Sequence, residues 1–195
     1  AKLARQCVRW GLGSAEFFAG IPGTVGGALA MNAGAFGGET WSHVLFVETV
    51  DRQGVLHRRD KDAYDISYRS VRGPGEEWFL AATFRFREDA KASTADIKAL
   101  LARRKASQPI GLPSCGSVFR NPPGDHAARL IESAGLKGRR IGGAEVSEKH
   151  ANFIINAGGA SALDIERLID FVRDTVEQVH GIRLQPEVRV IGEAE

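Results

Sequence analysis

The sequence predicts an α+β fold in two lobes. Helical periodicities and strand-like runs follow one another in mixed order, with no internal repeat. Hydrophobic residues make up 43% of the 195 residues and charged residues 26%, a balance that suits a packed core and excludes a disordered or fibrous chain. A helical pattern gives way to a proline-rich loop near Ala102–Gln108, which sets the expected lobe boundary there.

The elements follow in order. From Gly11 to Gly38 the chain reads GLGSAEFFAGIPGTVGGALAMNAGAFGG, too rich in glycine for the interior of a regular element. It reads as loop backbone that turns sharply or lies close to something, with a short helix from an N-cap at Thr24 to about Met31. Val44–Asp51 and Gly54–Arg59 read as a hairpin turning near Gln53-Gly54, and Trp78–Arg87 as a half-buried strand. Ser93 caps a helix running to about Lys105, with Asp96 at the capping-box position and Ile97, Leu100 and Leu101 as its apolar stripe. From Gln108 to Gly124 lies a Pro/Gly-rich loop around Val118-Phe119. A short helix over His126–Ala134 ends at Gly135, and short strands are expected around Gly143–Val146 and Ala151–Ile155. The strongest helix runs from Ser161 to His180. It has a Ser161/Asp164 capping box, one apolar face (Ile165, Leu168, Ile169, Val172, Val176, Val179) and a stop at Gly181. A last strand is expected over Glu187–Ile191.

Composition narrows the function. Lys and Arg number 26 against 24 Asp and Glu, so the balanced charge offers no counterion-release drive for nucleic-acid binding. Two cysteines, Cys7 and Cys115, allow one bridge at most, and reduced thiols in a cytoplasm are the simpler reading. No apolar run approaches the roughly 18 residues of a membrane span, and Ala1–Gln6 does not open a signal peptide. None of the five histidines sits at metal-ligand spacing with another ligand, so no metal is expected.

Four segments offer chemistry. In Gly20-Ile21-Pro22-Gly23-Thr24-Val25-Gly26-Gly27, glycines before a helix start expose backbone N–H groups. Such a segment suits a phosphate, although a tight turn with glycines for helix packing has the same composition. It is neither a P-loop nor a strand-linked G-x-G-x-x-G. The loop Ser114-Cys115-Gly116-Ser117-Val118-Phe119-Arg120-Asn121 gathers hydroxyl, thiol, guanidinium and amide groups. Arg120 there is a phosphate ligand or a solvated side chain. Tyr68-Arg69-Ser70 reads as a polar turn. Pro186-Glu187-Val188-Arg189 enters the last strand with a carboxylate.

Taken together, GIPGTVGGALAMNAGAFGGE (Gly20–Glu39), SYR (Ser67–Arg69), PSCGSVFRNP (Pro113–Pro122), LIESAGLKGRRIGGAEVSEKHANFIIN (Leu130–Asn156) and PEVRVIG (Pro186–Gly192) resemble the UDP-N-acetylenolpyruvoylglucosamine reductase family, block by block and in its order. The short stretch between Arg69 and Ser117 is similar to the branch without an extra tyrosine-bearing loop. The resemblance implies an FAD-binding lobe of the vanillyl-alcohol-oxidase type beside a smaller α+β substrate lobe. The family's first lobe would precede Ala1, residues 1–104 would be the rest of the FAD-binding domain, 105–182 the substrate domain, and 183–195 a strand returning to the FAD side.

The same resemblance implies a cytoplasmic, monomeric enzyme of peptidoglycan precursor synthesis. It would use FAD and NADPH to reduce UDP-N-acetylglucosamine enolpyruvate to UDP-N-acetylmuramate. A hydride would reach C3 from the reduced flavin, and Ser117 would deliver the proton to C2. Arg69 and Glu187 would stabilise the enolate-like intermediate. Ile21, Pro22, Gly23, Thr24, Gly26, Gly27, Asn32, Gly34 and Ala35 would lie along the flavin and its pyrophosphate, and Tyr68, Arg120 and Asn121 would contact substrate. The alternatives are another flavin oxidase of the same superfamily and a non-catalytic nucleotide-sugar-binding module.

Overall fold

Short elements dominate the first hundred residues, and apolar packing rather than helix length holds them. The computed structural model describes residues 1–192. Two compact units make up the chain, Ala1–Arg104 and a second that begins at Lys105. Among the described residues no helix is long and apolar enough to cross a membrane.

The first unit opens with α1 (Lys2–Arg9), a helix absent from the sequence expectation, which buries Ala4 and Cys7. Two-residue β1 (Leu12–Gly13) and a 3-10 turn over Glu16–Gly20 lead into the glycine-rich segment. There α2 (Val25–Ala30) is capped by Thr24, whose hydroxyl accepts the Gly27 N–H. Six residues are too few for a helix stable on its own. Packing fixes it: Ala28 joins a cluster with Phe17, Phe18 and Ile97, and Leu29 joins another with Trp41, Val44 and Val47. The minimal hairpin β2 (Gly34–Ala35) and β3 (Gly38–Glu39) follows.

β4 (Val44–Asp51) is the centre of a three-stranded antiparallel sheet, with β5 (Leu56–Asp60) on one side. A small hairpin, β6 (Asp65–Ser67) and β7 (Ser70–Arg72), turns at Tyr68-Arg69. β8 (Glu77–Phe84) completes the sheet on the other side of β4. The expected strand to Arg87 breaks after Phe84 because its partner β4 begins at Val44, the last pair of the ladder. The short β9 (Arg87–Glu88) pairs with β1 instead. α3 (Thr94–Ser107) follows Ser93, whose N–H and hydroxyl both donate to the Asp96 carboxylate.

The second unit is a four-stranded antiparallel sheet. Its strands are β10 (Ser114–Ser117), β11 (Arg140–Ile141), β12 (Ala144–Val146) and β13 (Phe153–Asn156), in the order β10-β13-β12-β11. Short α4 (Ala127–Ser133) and long α5 (Ala162–His180) complete it. The apolar face of α5, with Leu168, Ile169, Val172 and Val176, packs into one core with Val118, Phe119, Leu130, Ile131, Val146, Ile154 and Leu184. The Ser161/Asp164 capping box forms as expected, and Gly181 ends α5 in the left-handed conformation.

The strand expected over Glu187–Ile191 does not form. Pro186 makes one isolated bridge to Phe119, and no strand continues from it. Pro186 has no N–H for a ladder. Residues 193–195 of the expected C-terminal strand lie outside the described residues.

Candidate functional site

Within the first unit, the exposed turn Pro22-Gly23-Thr24 leads into α2, and Gly23 has a positive φ of +97° with open space around it. Thr24 satisfies the Gly27 N–H at 3.0 Å. As the first amides of a helix, Val25 and Gly26 have no partner further back in it. A Cβ on Gly26 would meet only the Thr24 hydroxyl, at 3.9 Å, so the backbone here is open to a ligand. Ile21 packs against the Phe17/Phe18 cluster. From the far side α3 supplies Arg104, which donates to the Gly20 carbonyl at 2.6 Å just before this turn.

The chain then folds back on Asn32. Its side chain is buried, and its backbone is left-handed at φ 41°. Nδ2 donates to Glu39 Oε2 at 3.0 Å and to the Ser67 carbonyl at 3.2 Å, while Oδ1 accepts the Trp41 N–H at 3.1 Å. The amide thus ties the glycine-rich segment, β3 and the β6–β7 hairpin together.

Arg69 sits at that hairpin's turn with φ 54°. Its guanidinium donates to the carbonyls of Asn32 and Gly34, each at 3.4 Å, and lies 4.9 Å from the centre of the Tyr68 ring. Gly34 must be glycine for the close β2–β3 pairing, while Arg69 comes only into ordinary contact with it. A Cβ there would stand 2.5 Å from the Gly38 carbonyl oxygen and 3.5 Å from the Arg69 guanidinium. Ala35, next in β2, is half-buried and pairs with Gly38. Four residues singled out from the sequence, Asn32, Gly34, Tyr68 and Arg69, are therefore neighbours.

In the second unit, β10 pairs with β13 at Ser114–Ile155 and Ser117–Phe153, with an irregularity between them. Gly116 takes φ +83° at that point. Just beyond, the Val118 carbonyl accepts the Glu187 N–H at 2.8 Å, and the Arg120 N–H donates to the Gln185 carbonyl at 2.9 Å. Ser117 and Glu187, far apart in sequence, thus stand on adjoining backbone. Arg120 Nε is buried without a hydrogen-bond partner. The Asn121 amide oxygen accepts the Ala127 N–H at 3.0 Å and so caps α4. Cys115 is exposed and Cys7 buried.

Sequence reasoning missed Glu39, Arg104 and Asn152. Glu39 and Asn152 fall inside blocks already singled out, where a carboxylate or an amide among apolar residues and glycines is the signal. Arg104 carries no local signal, because its partner, Gly20, lies far away in sequence.

Comparison with known proteins places the chain in a family. The FAD binding domain family matches residues 1–60, and the family described as UDP-N-acetylenolpyruvoylglucosamine reductase, C-terminal domain, matches residues 108–191. A UDP-N-acetylenolpyruvoylglucosamine reductase of Alkalilimnicola ehrlichii is 65% identical over all of this chain, which spans 65% of that protein. One from Coxiella burnetii is 63% identical over 98% of this chain, which spans 61% of its length. The crystal structure of UDP-N-acetylenolpyruvylglucosamine reductase from Thermus caldophilus superposes with a TM-score of 0.84 at 34% identity, covering 96% of this chain and 68% of that one. The fold is thus that of an α+β protein with a match to an FAD-binding domain. The chain belongs to the UDP-N-acetylenolpyruvoylglucosamine reductase family. It spans less than two thirds of the two curated relatives.

Proposed function

We propose that this chain carries part of the FAD-binding lobe and the substrate lobe of an enzyme that reduces UDP-N-acetylglucosamine enolpyruvate to UDP-N-acetylmuramate. Residues 1–104 are assigned to FAD, residues 105–182 to substrate, and residues 183–195 to a C-terminal segment that contributes Glu187. The observation that carries the reading is the backbone pairing that sets Glu187 beside the Ser117 loop, through the Glu187 N–H and the Val118 carbonyl at 2.8 Å. An acid and a hydroxyl carried on adjoining backbone from distant segments suit proton delivery to a substrate carbon.

The glycine-rich turn fits an FAD pyrophosphate. It offers backbone N–H donors at a helix start and an open glycine backbone, and nothing anionic in the segment competes. Ile21, Pro22, Gly23, Thr24, Gly26, Gly27, Gly34 and Ala35 would line it, and Asn32 would act through its backbone, because its side chain is already bonded inside the unit. The chemistry a bound FAD supplies is hydride transfer, from NADPH to C3 of the enolpyruvyl group.

The remaining work falls to this chain's side chains. Ser117 donates the proton that C2 gains. Arg69, held by two carbonyls and stacked on Tyr68, offers a fixed positive charge where negative charge grows on the substrate carboxylate. Glu187 shares in stabilising the enolate. Arg120, with its buried unpaired Nε, and Asn121 are assigned to the UDP diphosphate. The enzyme is proposed to act as a monomer, and in the cytoplasm, because both reactants are charged nucleotides that do not cross a bilayer unaided and so stay in the compartment that makes them.

The test is Ser117→Ala in the whole FAD-loaded protein. NADPH should still reduce the flavin at the wild-type rate, while reoxidation by the enolpyruvyl compound falls by roughly 10²–10⁴-fold. Loss of both half-reactions together would overturn the role given to Ser117.

A further inference from the structure

The block Leu130–Asn156 carries the family resemblance but has no chemical part in the reaction above. One of its residues nevertheless touches the backbone that bears Ser117. Asn152 stands just before β13 and is 4% exposed. Its Oδ1 accepts the Phe119 N–H at 2.9 Å, its Nδ2 donates to the Phe119 carbonyl at 2.8 Å, and its own carbonyl accepts the Val118 N–H at 2.9 Å. One residue therefore makes three bonds to two consecutive residues.

The other edge of the same segment meets the chain's C-terminal part. The Val118 carbonyl accepts from Glu187 at 2.8 Å, and the Arg120 N–H donates to Gln185 at 2.9 Å. Val118 and Phe119 are thus pinned between Asn152 on one side and 185–187 on the other, with 1% and 2% exposure. The arrangement follows from the irregular start of β10. Between Ser114 and Ser117 the ladder slips, its last pair is Ser117–Phe153, and β10 ends there, so Phe119 lies beyond the regular ladder. The Asn152 amide presents a donor and an acceptor side by side, as a peptide group does, and so takes both the N–H and the carbonyl of Phe119, whose bridge to Pro186 lies on the other edge. Asn152 is itself held, since its N–H donates to His150 Nδ1 at 3.3 Å.

We propose that Asn152 is a positioning residue: it fixes Ser117 and Glu187 relative to each other by clamping the Val118-Phe119 backbone from which both hang. The catalytic half of this statement rests on the function proposed above. The structural half stands without it. No other side-chain type of this size supplies both bonds, so the clamp is specific to the amide.

The test compares wild type, Asn152→Ala and Asn152→Asp in the whole FAD-loaded protein. Two readouts are used: amide hydrogen exchange at Phe119 and Glu187, and the two half-reactions measured separately. Asn152→Ala should speed exchange at both amides while leaving α5 unchanged. It should slow reoxidation by the enolpyruvyl compound about 10–100-fold, as a displacement near 1 Å does. Reduction by NADPH should be unaffected, and kcat should fall more than KM rises. Asn152→Asp keeps the acceptor for the Phe119 N–H but not the donor, so it should fall between the two. It also carries the test if the alanine variant does not fold. Unchanged exchange at Phe119 and Glu187 would overturn the clamp. Faster exchange with both half-reactions unchanged would overturn its positioning role. If wild type itself fails to react with the enolpyruvyl compound, the proposed function falls, and the exchange result alone decides whether Asn152 holds the Ser117–Glu187 backbone.

Discussion

The Arg69 guanidinium is held by the Asn32 backbone, 3.4 Å from its carbonyl oxygen, with the Gly34 carbonyl at the same distance. Arg69 pays for this position with a left-handed backbone, φ 54°, which glycine adopts without strain. A non-glycine residue in such a turn points to a need for its side chain. Arg69→Gly should therefore separate folding from function. Relief of strain offsets the lost hydrogen bonds, so stability to urea should stay within about 1 kcal/mol of wild type. Turnover of the enolpyruvyl compound should drop by at least about 10²-fold, the scale of losing one preorganised charge. Equal loss of stability and activity would make Arg69 a structural residue.

Asn32 predicts the opposite pattern. Its amide bonds Glu39, the Ser67 carbonyl and the buried Trp41 N–H. Asn32→Ala leaves the Trp41 N–H without that partner inside the core, and an orphaned buried donor costs about 1–3 kcal/mol before the other two bonds are counted. Urea unfolding should show a loss of at least that size. Any effect on FAD binding should follow the loss of folded protein rather than exceed it.

Gly26 tests the proposed flavin loop without breaking it. A Cβ there would stand 3.9 Å from the nearest atom outside the local helix backbone, the Thr24 hydroxyl. Alanine is the better helix former by roughly 0.5–1 kcal/mol, so Gly26→Ala should hold or raise the melting temperature of the first unit. If the turn before α2 cradles a pyrophosphate, the same methyl group intrudes on it, and FAD affinity in the whole protein should fall at least about tenfold. Unchanged affinity would mean that the glycines serve the turn alone.

What was legible in the sequence was local. Ser161, Asp164 and Gly181 bound α5 because capping and left-handed termination are set by a few neighbouring residues. Thr24 could be read as a cap for the same reason. The site was legible only in parts. The two turns bearing Arg69 and Ser117 stood out by composition, but what holds them did not. Arg69 depends on Asn32 and Gly34, and Ser117 on Asn152 and the chain near Glu187, and each pairing spans many residues with no periodicity to announce it. The last strand failed for a related reason. Val188, Val190 and Ile191 have strand-like composition, but strand formation needs a partner, and only Pro186 bridges to one. The α1 helix was missed because eight residues carry too short a pattern to separate from loop, and its stability comes from burying Ala4 and Cys7.

His150 supplies a pH dependence close to the Asn152 clamp. Burial lowers its imidazole from the ordinary histidine value, a backbone hydrogen bond and Glu132 oppose this, and Lys137 adds to it. The folded state therefore favours the neutral ring, whose Nδ1 accepts the Asn152 N–H. As pH falls through the ordinary value of about 6.5, the unfolded chain takes up this proton before the folded chain does. The stability that His150 contributes is complete above that value and declines as pH drops from it toward the lower folded value. The carboxylates with lowered pKa values, among them Glu77 and Asp164, lose their contributions only in the acid range below about 4.3, so they leave this window clear. Urea midpoints measured from about pH 7.5 to 5.5 should fall in wild type and flatten in His150→Gln. A slope that survives the substitution would assign the window to another group. In the same titration, protection of the Phe119 amide, taken as its exchange rate relative to the intrinsic rate at each pH, should fall in step with the midpoint, because a protonated Nδ1 no longer accepts from Asn152.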